Sequence, residues 1–177
     1  MVGLWRSRWA AVGAAVAVTV GAGGLVSVSA EPVAQSVFVG VEPTRVLDTR
    51  VGVGLSGVFQ GGSSRTLTVT GPVSVAVDGG GVRTDTVVPV GATAIVANLT
   101  AVDPTGRGFV SIRPGDAGGV PSTSSLNVTA GLTVANSVTV QLDDRGRVGL
   151  FFNRAGATTH LLLDVVGYYV EGAAMPG

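Results

Sequence analysis

Val134-Ala135-Asn136-Ser137-Val138-Thr139-Val140-Gln141-Leu142, then Asp143-Asp144-Arg145-Gly146, then Arg147-Val148-Gly149-Leu150-Phe151-Phe152-Asn153, is the stretch that decides the fold class. Its first run alternates with period two, so Val134, Asn136, Val138, Val140 and Leu142 share one face, as a pleated strand requires. Apolar spacings of three and four, which a helix needs, are missing. The aspartates and the glycine suit a tight reversal, and a second β-rich run follows. We read 134–142 and 147–153 as strands joined in a hairpin through 143–146.

The same pattern extends outward in both directions, with strands expected over 36–41, 65–70, 93–102, 109–113, 125–129 and 159–170. Glycine-rich punctuation separates them at Gly61-Gly62, Asp78-Gly79-Gly80-Gly81, Gly118-Gly119 and Asn153-Arg154-Ala155-Gly156. Eight short strands at this spacing predict an all-β fold, a single β-sandwich of jelly-roll or Greek-key type, with a barrel as the alternative. A partial internal echo supports the layout. Val96-Ala97-Asn98 precedes Gly106-Arg107 much as Val134-Ala135-Asn136 precedes Gly146-Arg147. Two related hairpins facing each other across the sandwich, turning at Asp103-Pro104-Thr105-Gly106 and at 143–146, would give this echo. Val96, Asn98, Thr100 and Val102 then form one face, so Asn98 and Asn136 are expected in apolar rows, their amides bonded to loop backbone.

The N-terminus reads as an export signal. Arg6 and Arg8 precede an apolar stretch at 10–20 that is short for a membrane span, and Val28-Ser29-Ala30 fits a small-residue cleavage site. The expected division is a signal segment over 1–30 and one β-sandwich domain over 31–177, with an uncleaved anchor as the alternative. The expected location is extracellular or wall-associated, with no membrane span after cleavage. About 147 residues suffice for one domain with a real core.

All eleven basic residues are arginine, a bias we attribute to GC-rich codon usage. Without Arg6 and Arg8, nine arginines face eleven acids, which argues against nucleic acid as a partner, since that needs a basic patch. The chain has no cysteine, which excludes disulfides, thiolate metal sites and a cysteine nucleophile.

Catalytic machinery is sparse. A single histidine, His160, cannot assemble a zinc site of the usual kind, and no Asp-x-Asp-x-Asp-Gly calcium loop occurs among the aspartates of the turns. No metal or other cofactor is expected. His160 shares a strand face with Asp164, but four residues of strand separate them by roughly 13 Å, too far for a direct hydrogen bond. A nucleophile elbow is missing. The strongest charged cluster is Arg45, Asp48 and Arg50. If this segment is extended, Asp48 and Arg50 point to the same face, which suits a structural ion pair clamping the N-terminal segment. A binding site for an anionic sugar or carboxylate is the alternative for these three residues. Both tryptophans, Trp5 and Trp9, fall in the signal segment, while most of Phe38, Phe59, Phe109, Phe151, Phe152, Tyr168 and Tyr169 are expected to pack in the core.

Several stretches together carry a resemblance to a family. They are Pro43-Thr44-Arg45-Val46-Leu47-Asp48-Thr49-Arg50, Val88-Pro89-Val90-Gly91-Ala92-Thr93-Ala94, Asp103-Pro104-Thr105 with Gly108-Phe109, Ser125-Leu126-Asn127, Thr133-Val134-Ala135-Asn136, and Gly156 through Thr159-His160 to Asp164-Val165-Val166-Gly167-Tyr168-Tyr169. In this combination the chain resembles an accessory β-domain that recurs in exported actinobacterial proteins, alone, in tandem or appended to amidase, esterase or protease domains. The resemblance implies a secreted, cell-surface or wall-associated module and brings no catalytic residues. The expected function is non-catalytic interaction with cell-wall polymer, carbohydrate or a surface protein, with self-association as a further option. A small serine-type hydrolase using His160 is the alternative.

Overall fold

The computed structural model describes residues 35–172, so the expected signal segment lies outside the described residues. In chain order the strands are β1 (Ser36–Asp48), β2 (Phe59–Gln60), β3 (Ser63–Thr68), β4 (Val73–Ala76), β5 (Val82–Asp85), β6 (Ala94–Val102), β7 (Gly108–Pro114), β8 (Leu126–Val128), β9 (Val134–Gln141), β10 (Arg147–Phe152) and β11 (Thr158–Glu171). All eight expected strands are present, and the fold is all-β. Among the described residues no helix is long and apolar enough to cross a membrane.

One sheet has the order β1-β11-β6-β9, with β2 added to the start of β11, and a second has the order β3-β10-β7-β8. The β4–β5 hairpin forms a small third sheet. Pairing between these strands is antiparallel throughout. β1 runs seven residues further than its alternation suggested, because its register against β11 shifts between Gly40 and Thr44 and resumes beyond it. Pro43 sits within that shift on an edge strand, a position where a missing N–H costs no ladder bond.

The hairpin reading of 103–106 and 143–146 requires correction. β6 does not pair with β7, nor β9 with β10; instead β6 pairs with β9 in the first sheet, and β7 with β10 in the second. Each turn therefore carries the chain between sheets. The reason lies in the inner faces: Leu99 and Ala101 of β6 and Val110 and Ile112 of β7 join one buried cluster, so the returning strand packs against the first instead of bonding to it. At the exit of β6, Asp103 takes a positive φ of 47°, a conformation aspartate tolerates better than most residues. The two echoing segments thus lie side by side, with Asn98 opposite Ser137 and Ser111 opposite Phe151.

The same register corrects the placement of the asparagines. Ile95, Ala97, Leu99 and Ala101 are the buried row of β6, which leaves Asn98 half-buried on the other face, and Asn136 is exposed. Asn136 does bond loop backbone, its Nδ2 donating to the Ser125 carbonyl at 2.8 Å. Leu47, Leu161 and Leu163 from the first sheet share the core with Leu67, Leu150 and Phe152 from the second, and Val75 of β4 joins them. Burial of each such side chain stabilises the fold by about 1.5–3 kcal/mol, and in a cysteine-free chain no cross-link adds to it.

Candidate functional site

The site grows from the end of β1. Leu47 turns into the core, and the chain then reverses so tightly that the Asp48 carbonyl accepts N–H groups from Gly52 and Val53 at 3.0 and 3.1 Å. This fixes the Asp48 carboxylate, which is only 3% exposed. Its Oδ1 accepts the Arg50 backbone N–H at 3.1 Å and Arg50 Nε at 2.9 Å, and its Oδ2 accepts Arg50 Nη2 at 2.7 Å. Arg45 Nη1 reaches Oδ2 at 3.4 Å. The expected ion pair of Asp48 with Arg50 is therefore formed as a two-pronged fork.

Arg45 also links β1 to the neighbouring strand. Its Nε and Nη2 donate to Asp164 Oδ1 and Oδ2 at 2.7 and 3.0 Å, across a ladder in which Arg45 and Asp164 are direct partners. The hydrogen bonds from Arg50 hold the Asp48 carboxyl below its ordinary range; burial pushes the other way and is outweighed. The bond to Asp164 raises the Arg45 pKa, and the bond to Asp48 raises that of Arg50.

Arg45 and Asp164 line a cleft of about 690 Å³ between Glu42-Pro43-Thr44 and the β4–β5 hairpin, whose Ala76, Val77, Asp78, Gly79 and Arg83 form the opposite wall. Of the three candidate ligand-contacting residues, Arg45 lines this cleft, Asp48 is buried, and Arg50 is turned onto Asp48. Arg83 is half-exposed and pairs with Asp85 at 2.8 Å.

His160 lies apart from Asp164, which is held by Arg45. The His160 Nδ1 is 2.9 Å from the Thr49 hydroxyl. That hydroxyl also accepts the Leu161 N–H at 3.1 Å. Thr49 is 1% exposed, and its N–H also donates to the Leu161 carbonyl. The arrangement ties the β1 turn to β11. Replacing the hydroxyl in Thr49→Val leaves a backbone N–H and a ring nitrogen without this partner and is expected to cost about 1–3 kcal/mol, read as a lower urea midpoint at unchanged slope. A change below a few tenths of a kcal/mol would show the tie to be idle.

A second buried carboxylate escaped the sequence reading. Asp143 Oδ1 accepts the N–H groups of Arg145 and Arg147, both at 2.9 Å, while Oδ2 accepts Arg147 Nε and Nη2 at 2.8 Å. Burial is the largest single influence and pushes this carboxyl up, but the Arg147 guanidinium and the two N–H groups together hold it below the ordinary range. Its signal was present in the sequence: Asp143-Asp144-Arg145 repeats the spacing of Asp48-Thr49-Arg50, with an aspartate closing a turn onto the N–H two residues on.

Most of the aromatic side chains pack inside as expected, with Phe59, Phe151 and Phe152 buried, but Phe38 does not. Phe38 is 49% exposed, and its ring stands 5.3 Å from that of Tyr169 at 54°, against Gly167. The missing Gly167 side chain is what lets the ring lie there, on the surface of the sheet. Tyr168 is half-buried and packs on the core. Comparison of the chain with protein-family models, with curated proteins and with solved structures finds no match in any of the three.

Proposed function

We propose that the protein is a non-catalytic module of an exported, cell-surface or wall-associated kind, and that it binds cell-wall polymer, another carbohydrate or a surface protein through the cleft beside Arg45. We read the two larger sheets as the facing layers of one β-sandwich; their shared core supports this. The observation that carries the functional reading is convergence. Two of the most distinctive stretches of the sequence, one containing Pro43-Thr44-Arg45 and the other containing Asp164, are far apart in the chain and meet in the same open cleft. Structure alone explains the Asp48–Arg50 fork, whereas Arg45 and Asp164 also face a space of ligand size.

The hydrolase alternative is favoured by one distance, the 2.9 Å between His160 and a hydroxyl. A nucleophile must reach its substrate, and the Thr49 hydroxyl is enclosed and already accepts a backbone N–H. The binding reading is tested by sedimenting the purified protein with insoluble cell walls of a high-GC Gram-positive bacterium. Saturable retention, unchanged by His160→Ala, is expected. Retention no better than that of an unrelated all-β protein of similar charge would remove the wall and turn the search to a protein partner.

A further inference from the structure

We propose that the cleft beside Arg45 is a saccharide site for neutral sugars that present adjacent hydroxyls; this rests on the binding-module reading and adds the chemistry of the ligand. The argument starts from charge. An anionic ligand approaching Arg45 meets a guanidinium already facing two carboxylates, Asp164 and Asp48. A cationic ligand meets the guanidiniums of Arg45 and Arg83 on opposite walls, and the Asp164 carboxylate is already paired with Arg45. In each wall a guanidinium and a carboxylate form a hydrogen-bonded pair, Arg45 with Asp164 and Arg83 with Asp85, so the excess charge of the cleft is that of Glu42 and Asp78, which are exposed and screened by water.

What each pair does present is a fixed set of donors and acceptors. Of the five N–H bonds of Arg45, Nε, one on Nη1 and one on Nη2 are engaged, which leaves one on each Nη. Each oxygen of Asp164 accepts one bond from Arg45 and keeps a second lone pair. Donors and acceptors therefore stand side by side, held by a fork that costs no ordering on binding. Adjacent sugar hydroxyls complement this array, one oxygen accepting from the guanidinium while its neighbour donates to the carboxylate. The cleft is of a size that suits a small oligosaccharide segment. Pro43, Ala76 and Val77 supply apolar contact for sugar C–H faces. Affinity then rests on hydrogen bonds rather than on aromatic stacking.

The test is amide chemical-shift mapping of the full chain with neutral hexasaccharides of glucose, mannose, galactose and N-acetylglucosamine and with the neutral fraction of solubilised wall glycan. Polygalacturonate and a chitosan hexamer serve as anionic and cationic counterparts, and wall sedimentation runs in parallel. At least one neutral ligand is expected to shift Thr44, Arg45, Val77 and Arg83 saturably. Arg83→Ala, on the exposed hairpin, should weaken that binding about tenfold, roughly the loss of one hydrogen bond to a charged group. Asp164→Asn, which keeps the shape of the fork, should weaken it similarly. The proposal falls if the cleft responds only to a charged ligand, or if no neutral glycan shifts it. Wall retention without cleft shifts overturns the saccharide site and leaves the binding module standing; loss of both removes the two readings together.

Discussion

Asp48→Ala should lower the stability of the fold by about 1–3 kcal/mol, the cost of taking a buried hydrogen-bond acceptor from the groups that converge on it, which water can partly replace at the exposed guanidiniums. Here those groups are the Arg50 guanidinium, the Arg50 N–H and the Nη1 end of Arg45, all of which converge on one enclosed carboxylate. Arg50→Ala should cost at least as much, since it leaves the enclosed Asp48 carboxylate with only the residue-50 N–H and Arg45 Nη1. Urea unfolding of the three proteins at neutral pH checks the order, and an Asp48→Ala loss under 1 kcal/mol would show that the fork is ornamental. The same carboxylate makes stability depend on pH. Asp48 and Asp143 both have pKa values lowered by folding from an ordinary value of 3.8. Their contribution is therefore fully present above that value and is lost as the pH falls through the lower folded values. Acid unfolding should accordingly steepen below about pH 4, and Asp48→Asn should flatten that limb.

What made Asp48 and Arg50 readable in the sequence is that their partnership is local: two residues apart in an extended segment, they had to share a face. Arg45 and Asp164 are 119 residues apart, and their meeting depends on the β1–β11 register, which shifts between Gly40 and Thr44 and again between Arg45 and Leu47. Alternation alone does not reveal such shifts, so the cleft was half legible: one wall was named, while Asp164 and Arg83 were not assigned to it. The strands themselves were legible wherever valine and threonine alternate over six or more residues. β4 and β5 were missed although each is longer than β8, because Val73-Ser74-Val75-Ala76 and Val82-Arg83-Thr84-Asp85 flank the glycine run at 79–81 and β5 buries no side chain, and β2 has only two residues. Asn98 was assigned to a buried row because both faces of β6 carry apolar side chains; only the partner sheet decides that Leu99, and not Val96, turns inward. The turns at 103–106 and 143–146 were recognised as reversals, but turn chemistry does not say whether the returning strand will bond to its predecessor or pack across from it.

The choice between bonding and packing is what Phe152→Ala probes. Phe152 is fully buried on β10, paired with Ser63 on one side and Val110 on the other, and it belongs to the core that also receives Leu47, Leu161 and Leu163 from the first sheet. Its ring edge extends toward Gly108, where an added Cβ would stand 3.3 Å away. Truncation to alanine is expected to cost about 3–5 kcal/mol, from lost transfer energy plus the cavity that strands held from both sides cannot close. Phe152→Leu should cost under about 1.5 kcal/mol, since most of the volume is kept. Phe151, its neighbour, faces the opposite way: it is 5% exposed and stands outside the shared cluster. If the two large sheets are held together by one common core, Phe152→Ala must lower the urea midpoint well beyond Phe151→Ala, by a large share of a total stability of about 5–15 kcal/mol. Equal losses at the two positions would mean that β10 is stabilised chiefly within its own sheet, by its bonds to β3 and β7, and the sandwich reading would lose its energetic basis.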